Sequence, residues 1–351
     1  MFKSYVIRRA AQFIMAAATI LTPMHSWADE GGVSFWVPGF YGSLAAVPQQ
    51  PGFSLATIYY HTSVKAGADV AFARQVSRGG ITANFTGALS ANIKADAHLG
   101  FVIPTYVFAT PVLGGQASVS MIVPAGHERV SADAGLVAAI GPIGFARGAA
   151  VTESVSGFGD LIPQASLRWN FGVHNVMTYV TGDIPIGAYN PQRLANLGLG
   201  HAALDGGAGY TYFNPQTGHE FSAVGGLTYN FTNPDTQYKS GVDFHLDMGA
   251  SQFLSKQMLV GVVGYAYQQL TGDSGSGDRV GSFKSRVFGA GPQVGFIFPL
   301  GTSHQGYLNL KGYKEFGAEH RPEGWNAWLT FVISPAAQAA PTSAMRHMVS
   351  K

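Results

Sequence analysis

Between Asn175 and Asn233 the chain alternates apolar and polar positions in three successive runs. Val176, Thr178, Val180, Ile184, Ile186 and Ala188 share one parity, against Asn175, Thr181 and Asp183 on the other. Ala202, Leu204, Ala208, Tyr210 and Tyr212 then oppose His201, Asp205 and Thr211. In the third run, Phe221, Ala223, Leu227, Tyr229 and Phe231 oppose Glu220, Ser222, Thr228 and Asn230. A period of two is the signature of an extended strand with one apolar and one polar face. A polar loop (Asn190 to Gly200) and a tight turn (Asn214 to Gly218) separate the runs. Alternately long and short connections between such strands predict an all-β fold, a transmembrane antiparallel up-and-down β-barrel.

The pattern extends over residues 52–335. In the first strand Ala56, Ile58, Tyr60 and Val64 are assigned to the lipid face, and Tyr59, His61, Ser63 and Lys65 to the lumen. In the second, Ala97, Leu99, Phe101, Ile103 and Val107 take the outer face, which leaves Asp96 and His98 inward. Later strands put Asp160 and Arg168, then Asp243, His245 and Asp247, then Lys311 and Glu315 on the inner parity. The polar, small-residue stretches 66–94 and 131–153 read as long external loops, the first with some strand beyond the membrane. About twelve strands result, an even number suited to bacterial barrels. Aromatic residues at strand ends, among them Trp169, Tyr189, Phe298 and Trp325, suit interfacial girdles.

Composition supports the pattern. Only 11% of the 351 residues are charged, against about 25% in an ordinary soluble domain. After the N-terminus, no apolar run reaches the 18 or more residues of a spanning helix. A net charge of +2 without a basic patch gives no case for nucleic acid. The absence of cysteine excludes disulfides, thiolate metal sites and a cysteine nucleophile. Residues 1–28 read as a cleaved signal peptide: Lys3, Arg8 and Arg9 precede an apolar core from Ala10 to Leu21 and a small-x-small site at Ser26-Trp27-Ala28. A retained anchor would need a longer core. Residues 29–51 do not alternate. Pro38, Pro48 and Pro51 forbid a central strand, while Phe35, Trp36, Phe40 and Tyr41 are adhesive. This pre-barrel segment is expected to fold into the lumen or against the rim. Residues 336–351 read as a flexible C-terminal tail.

Several stretches carry a resemblance: GVSFWVPGFYGSLAAVP, YYHTSV, SGFGDLIPQASLRW, GDIPIGAYNPQRLANLGLGHAALDGGAGYTYFNPQTGHEF, NPDTQYKSGVDFHLDMGASQFLS, YQQLTGDSG, GPQVGFIFP and RPEGWNAWLTF. Over residues 31–335 the chain resembles the meta-pathway of phenol degradation proteins, a group that includes sphingosine-induced outer-membrane proteins. The resemblance implies a bacterial outer-membrane barrel that passes small hydrophobic or aromatic compounds. It supplies no catalytic residues, and its motifs are structural. The expected partners are outer-membrane lipid and such solutes, with no cofactor; oligomeric state is left open.

The candidate solute pathway is the inner parity: Tyr59, His61, Lys65, Asp160, Arg168, Asp183, Asp205, Glu220, Asp243, His245, Asp247, Lys311 and Glu315. Phe35, Trp36, Phe40 and Tyr41 add aromatic contacts ahead of the barrel. Such residues tune a pore, or they are paired charges that merely hold the shape of a narrow barrel. Asp243-x-His245-x-Asp247 is the densest group and has the residue types of a metal site. The alternative to a channel is a plugged barrel that binds lipids or amphiphiles without transport. A third reading, a hydrolase, rests on His61 and Ser63 as base and nucleophile. The Gly272-Asp273-Ser274-Gly275 stretch resembles a protease nucleophile motif but lies in a glycine-serine loop without evident partners.

Overall fold

The computed structural model describes residues 34–78, 81–140, 143–278 and 282–336, with side chains left aside for 68–91, 136–145 and 147. The expected signal peptide and nearly all of the expected tail lie outside the described residues. Among the described residues, thirteen strands follow in order. The first five are β1 (Gly52–Arg78), β2 (Ile81–Val107), β3 (Gln116–Ile140), β4 (Ile143–Phe158) and β5 (Ile162–Phe171). Next come β6 (His174–Asp183), β7 (Ala203–Phe213), β8 (His219–Asn230) and β9 (Asp243–Phe253). The last four are β10 (Met258–Gln269), β11 (Arg286–Leu300), β12 (His304–Glu319) and β13 (Glu323–Pro335).

All pair antiparallel, and β13 returns to pair with β1 from Leu55↔Ile333 to Lys65↔Glu323, closing the sheet. Closure removes the unpaired edges that cannot exist in hydrocarbon. β4 and β5 are two lengths of one stave. The upper part of β3 pairs with β4 down to Ala125↔Phe158, and its lower part with β5 from Ile122↔Ile162. The register slips by one residue across Gly159-Asp160-Leu161, so thirteen strands make twelve staves, as the period-two pattern predicts.

Short hairpins close one end. Phe171↔His174 leaves only Gly172 and Val173 in the turn, with Gly172 at φ +73°. A two-residue hairpin with positive φ at its first central position is the type that matches strand twist, and glycine adopts it without a Cβ penalty. At the other end the strands overshoot. β1 and β2 each run 27 residues and β3 runs 25, where about 9–11 span a bilayer. The stretches expected as loops, 66–94 and 131–153, are therefore continuations of the β1–β2 and β3–β4 hairpins. Above Lys65, β1 pairs with β2 alone. The period of two continues there in the sequence, where Ile81, Ala83, Phe85, Leu89, Ala91 and Ile93 alternate with Thr82, Asn84, Thr86, Ser90 and Asn92, as expected of an extended strand.

The surface is inverted relative to a soluble protein. Leu204, Phe221, Leu227, Leu310, Phe316 and Leu329 are exposed, whereas Asp205, Asp243, His245, Asp247 and Lys311 are buried. Large exposed apolar areas mark a non-aqueous partner. Inside, the barrel is tight at Gly207 on β7, which faces Gly226 on β8. A methyl group at Gly207 would run into the Gly225 carbonyl and lie within contact of the Tyr179 hydroxyl. Backbone cannot yield as a side-chain tip does, and overpacking costs about 1–3 kcal/mol. Gly207→Ala is therefore expected to lower the temperature at which the extracted barrel loses its folded electrophoretic mobility by several degrees, a shift read by heating before electrophoresis.

Two strands reverse the expected faces. Ile58, Tyr60, Phe101 and Ile103 are buried in the lumen, and Tyr59, His61, Lys65, Asp96 and His98 lie on the outer parity. The cause is an apolar lumen wall at β1 and β2, so apolar residues occur on both faces and the usual apolar-outside rule loses its discriminating power.

Candidate functional site

The inner faces of the other staves converge on one object, the segment 34–51. It lies within the lumen without joining the sheet; side chains of the wall hold it. Asp247 on β9 accepts from the backbone N–H of Gly39 at 2.7 Å and of Tyr41 at 3.1 Å. From β12, the Lys311 ammonium donates to the carbonyls of Gly39, Phe40 and Tyr41 at 2.6, 3.2 and 3.3 Å. One turn of chain thus has its donors taken by an anion and its acceptors by a cation. Gly39 has φ +90°, and a Cβ there would come within 3.0 Å of the Tyr313 ring.

Further along, the Ser43 and Ser251 hydroxyl oxygens are 2.6 Å apart, and the Gln293 amide donates to Ser43 at 2.7 Å. Leu44 N–H donates to Glu220 at 2.9 Å, and Ala46 N–H to Thr211 Oγ1 at 3.0 Å. Arg168 Nε donates to the Ala45 carbonyl, while its Nη1 donates to Ser166 and Ser118. Gln49 and Gln116 exchange hydrogen bonds at the end of the segment. The Gln164 amide donates to the Tyr41 hydroxyl. Burial pushes that phenol upward from its ordinary value, so it stays neutral.

Trp36 stacks on the His245 ring at 3.8 Å between centroids, 10° from parallel. His245 Nε2 lies 2.9 Å from Asp205 Oδ2, the oxygen that also accepts from Thr228. Tyr179, Tyr41 and Phe40 complete the aromatic cluster around Trp36. Among the described residues, the buried Trp36 Nε1 and His245 Nδ1 have no hydrogen-bond partner. The Asp243-x-His245-x-Asp247 residues engage three different partners: Asn230, Asp205 and the segment. No group of three potential ligands forms a metal site among the described residues.

The lumen has two characters. Charged and amide side chains line β5 to β9 and reach β12. Opposite them lies an apolar cluster of Ile58, Tyr60, Phe101, Tyr265, Tyr267 and Trp328, against which Val37 and Phe40 pack. Glu315 sits in this half, accepting from Tyr265 and from Gly324 N–H, each at 2.7 Å.

A second layer covers the break in the wall. Asp160 accepts from Gly187 N–H at 2.7 Å and Leu199 N–H at 2.6 Å. It thereby pins the 185–200 loop, whose Ala195 is buried against Val130 and Val155. Glu153 and Glu128 accept from Leu194 and Asn196 N–H at 2.7 and 2.9 Å. Asp183 is buried nearby.

The structure therefore gathers Asp160, Arg168, Asp183, Asp205, Glu220, Asp243, His245, Asp247, Lys311 and Glu315 within the barrel, together with Phe35, Trp36, Phe40 and Tyr41. It places Tyr59, His61 and Lys65 outside, away from this site. With His61 on the outer face, the expected His61–Ser63 pair shows no hydrogen bond among the described residues; His61 Nδ1 is 3.1 Å from the Ala97 carbonyl instead. Sequence reasoning missed Gln116, Gln293 and Tyr179, while the inner parity of β5 did place Gln164 beside Arg168. Gln293 shares parity with inward neighbours, but a neutral amide gives no signal unless one asks what would hold an irregular segment.

Residues 66–331 match the family described as "Putative MetA-pathway of phenol degradation". The chain belongs to this family. Among curated proteins, none matches by sequence. Of solved structures, the outer membrane channel from Pseudomonas putida F1 is similar at 15% identity and a TM-score of 0.60, over 85% of this chain and 99% of that one. A FadL homologue from Pseudomonas aeruginosa aligns at 9% identity and a TM-score of 0.41, over 89% and 97% respectively. The first likeness is one of fold.

Proposed function

We propose that the chain is an outer-membrane channel for small hydrophobic or aromatic compounds, in which the segment 34–51 is a displaceable plug. The observation that carries this is the manner of attachment. The plug is held by side-chain hydrogen bonds, aromatic contacts and apolar packing, with no strand pairing among the described residues, so it can leave without unzipping the barrel. The wall it would uncover is half apolar and half polar. A solute with an aromatic ring and one hydroxyl matches such a lumen, because weak contacts on both sides permit binding and release. The family description and the fold shared with an outer membrane channel agree with this reading.

The firm seating of the plug also fits a barrel that binds amphiphiles without passing them. Uptake separates the two. Liposomes carrying the protein are expected to take up phenol-like solutes faster than empty liposomes, and faster still when residues 34–48 are deleted. Equal rates for all three preparations would remove the channel and leave the plugged barrel.

A further inference from the structure

The outer wall carries a second feature, which the lumen does not use. In one row across four strands, Tyr59 on β1, Gly100 on β2, Ala125 on β3 and Phe158 on β4 face one another. The two small residues form the floor of an apolar groove of about 400 Å³ on the exterior, and Tyr59, Phe158, Val102 and Leu329 form its walls. Two residues further toward the long hairpins the row is His61, His98 and His127, directly opposed on neighbouring strands. Each imidazole has Nδ1 beside an oxygen: the Ala97 carbonyl, the Tyr59 hydroxyl and the Ser156 hydroxyl. The row above holds Asp96 opposite Arg129. The next places Lys65 directly opposite Lys94, with Glu323 on the far side of Lys65.

Two ammonium groups directly opposed on adjacent strands are destabilising unless an anion sits between or above them. Lys65, Lys94 and Arg129 are exposed and outward, and none makes an ion pair among the described residues. Rows on one face are about 6.6 Å apart along a strand. A groove for hydrocarbon is thus capped within about 20 Å by imidazoles and then by cations.

We propose that this face is a binding site for a phosphorylated, multiply acylated lipid of the outer leaflet, with one acyl chain in the Gly100–Ala125 groove and its phosphate over Lys65, Lys94 and Arg129. The proposal rests on the reading that the barrel spans a membrane with its long hairpins outward. It does not need solute to pass through the lumen.

The test is native mass spectrometry of the full chain in detergent, titrated with diphosphoryl lipid A. Two variants probe the two halves: K65Q/K94Q/R129Q for the headgroup, and Gly100→Leu for the groove. A Cβ at Gly100 meets only the Ala125 carbonyl at 3.7 Å, so this position accepts a side chain. Lys256→Gln, in the turn at the opposite end, serves as control. Each test variant is expected to weaken lipid A binding about tenfold, with the control unchanged and all barrels still heat-modifiable on gels. The proposal further expects dephosphorylated lipid A to bind as weakly as the triple variant binds lipid A, and millimolar inorganic phosphate not to compete. Undiminished binding in either variant, equal binding of the dephosphorylated lipid, or competition by phosphate alone would overturn it. Because the readout is lipid binding, its failure leaves the uptake experiment standing, and failure of uptake leaves this one standing.

Discussion

Replacing Asp247 by alanine is expected to turn a mostly closed barrel into a mostly open one. The carboxylate receives two backbone N–H groups of the plug, and hydrogen bonds to a charged group contribute about 1.5–3 kcal/mol each. Losing about 3 kcal/mol shifts the equilibrium between seated and displaced plug by roughly a hundredfold. The same change takes from Lys311 the carboxylate whose charge it feels. Displacing the plug admits water, which solvates the remaining charges in parent and variant alike, so the loss falls on the closed state alone. Single-channel recording in planar bilayers should show rare openings for the parent chain and dominant openings for Asp247→Ala. Lys311→Met should act in the same direction. The double variant should add little, because both residues grip the same turn. Asp247→Asn, which keeps one acceptor oxygen, should lie between. Unchanged open probability in Asp247→Ala would mean that the plug is held by something other than this turn.

Asp160→Ala is expected to release the 185–200 loop and expose the Arg193–Leu194 bond to trypsin. Asp160 is the shared acceptor for Gly187 and Leu199 N–H, one at each end of the loop. Gly187 packs so closely on Gly159 that a Cβ would lie 2.5 Å from the Gly159 carbonyl carbon. Two half-buried donors left without their acceptor cost about 2 kcal/mol together, enough to raise the population of the detached loop by a factor of about thirty. The parent barrel should resist cleavage at this site, and the variant should be nicked at least tenfold faster, as read by the fragment masses. An identical cleavage rate would show that Glu128, Glu153 and the packing of Ala195 hold the loop without Asp160.

Most of the barrel was legible as period two, because many of its staves, β5 to β9 above all, put polar residues inward and apolar residues outward. β1 and β2 misled for a physical reason. Their inner face meets the apolar side of the plug, so Ile58, Tyr60, Phe101 and Ile103 turn inward while Tyr59 and Val102 turn outward, and both faces look alike to a hydropathy reading. The hairpin extensions were legible too, since Ile81 to Ile93 alternates with polar neighbours; the loop expectation rested on their small, polar composition and on a length beyond what a bilayer requires. The carboxylates and cations of the site were visible one by one. Their pairing with the backbone of residues 39–46 was not, since a non-repeating proline-broken segment carries no register from which contacts can be inferred. The prolines and aromatics nevertheless marked that segment as one that neither joins the sheet nor stays in water.

If residues 34–51 fill the lumen and must leave it for solute to pass, a covalent tether between plug and wall stops uptake. The chain has no cysteine, and the Ser43 and Ser251 hydroxyl oxygens are 2.6 Å apart, so Ser43→Cys with Ser251→Cys places two thiols where a disulfide tethers plug to wall. Solute uptake by liposomes is then measured before and after reduction. The account predicts ready cross-linking, uptake at the level of empty liposomes while oxidised, and recovery to the rate of the untethered chain on adding reductant. Failure of the two cysteines to cross-link in the folded barrel, or equal uptake by the oxidised and reduced forms, would contradict it.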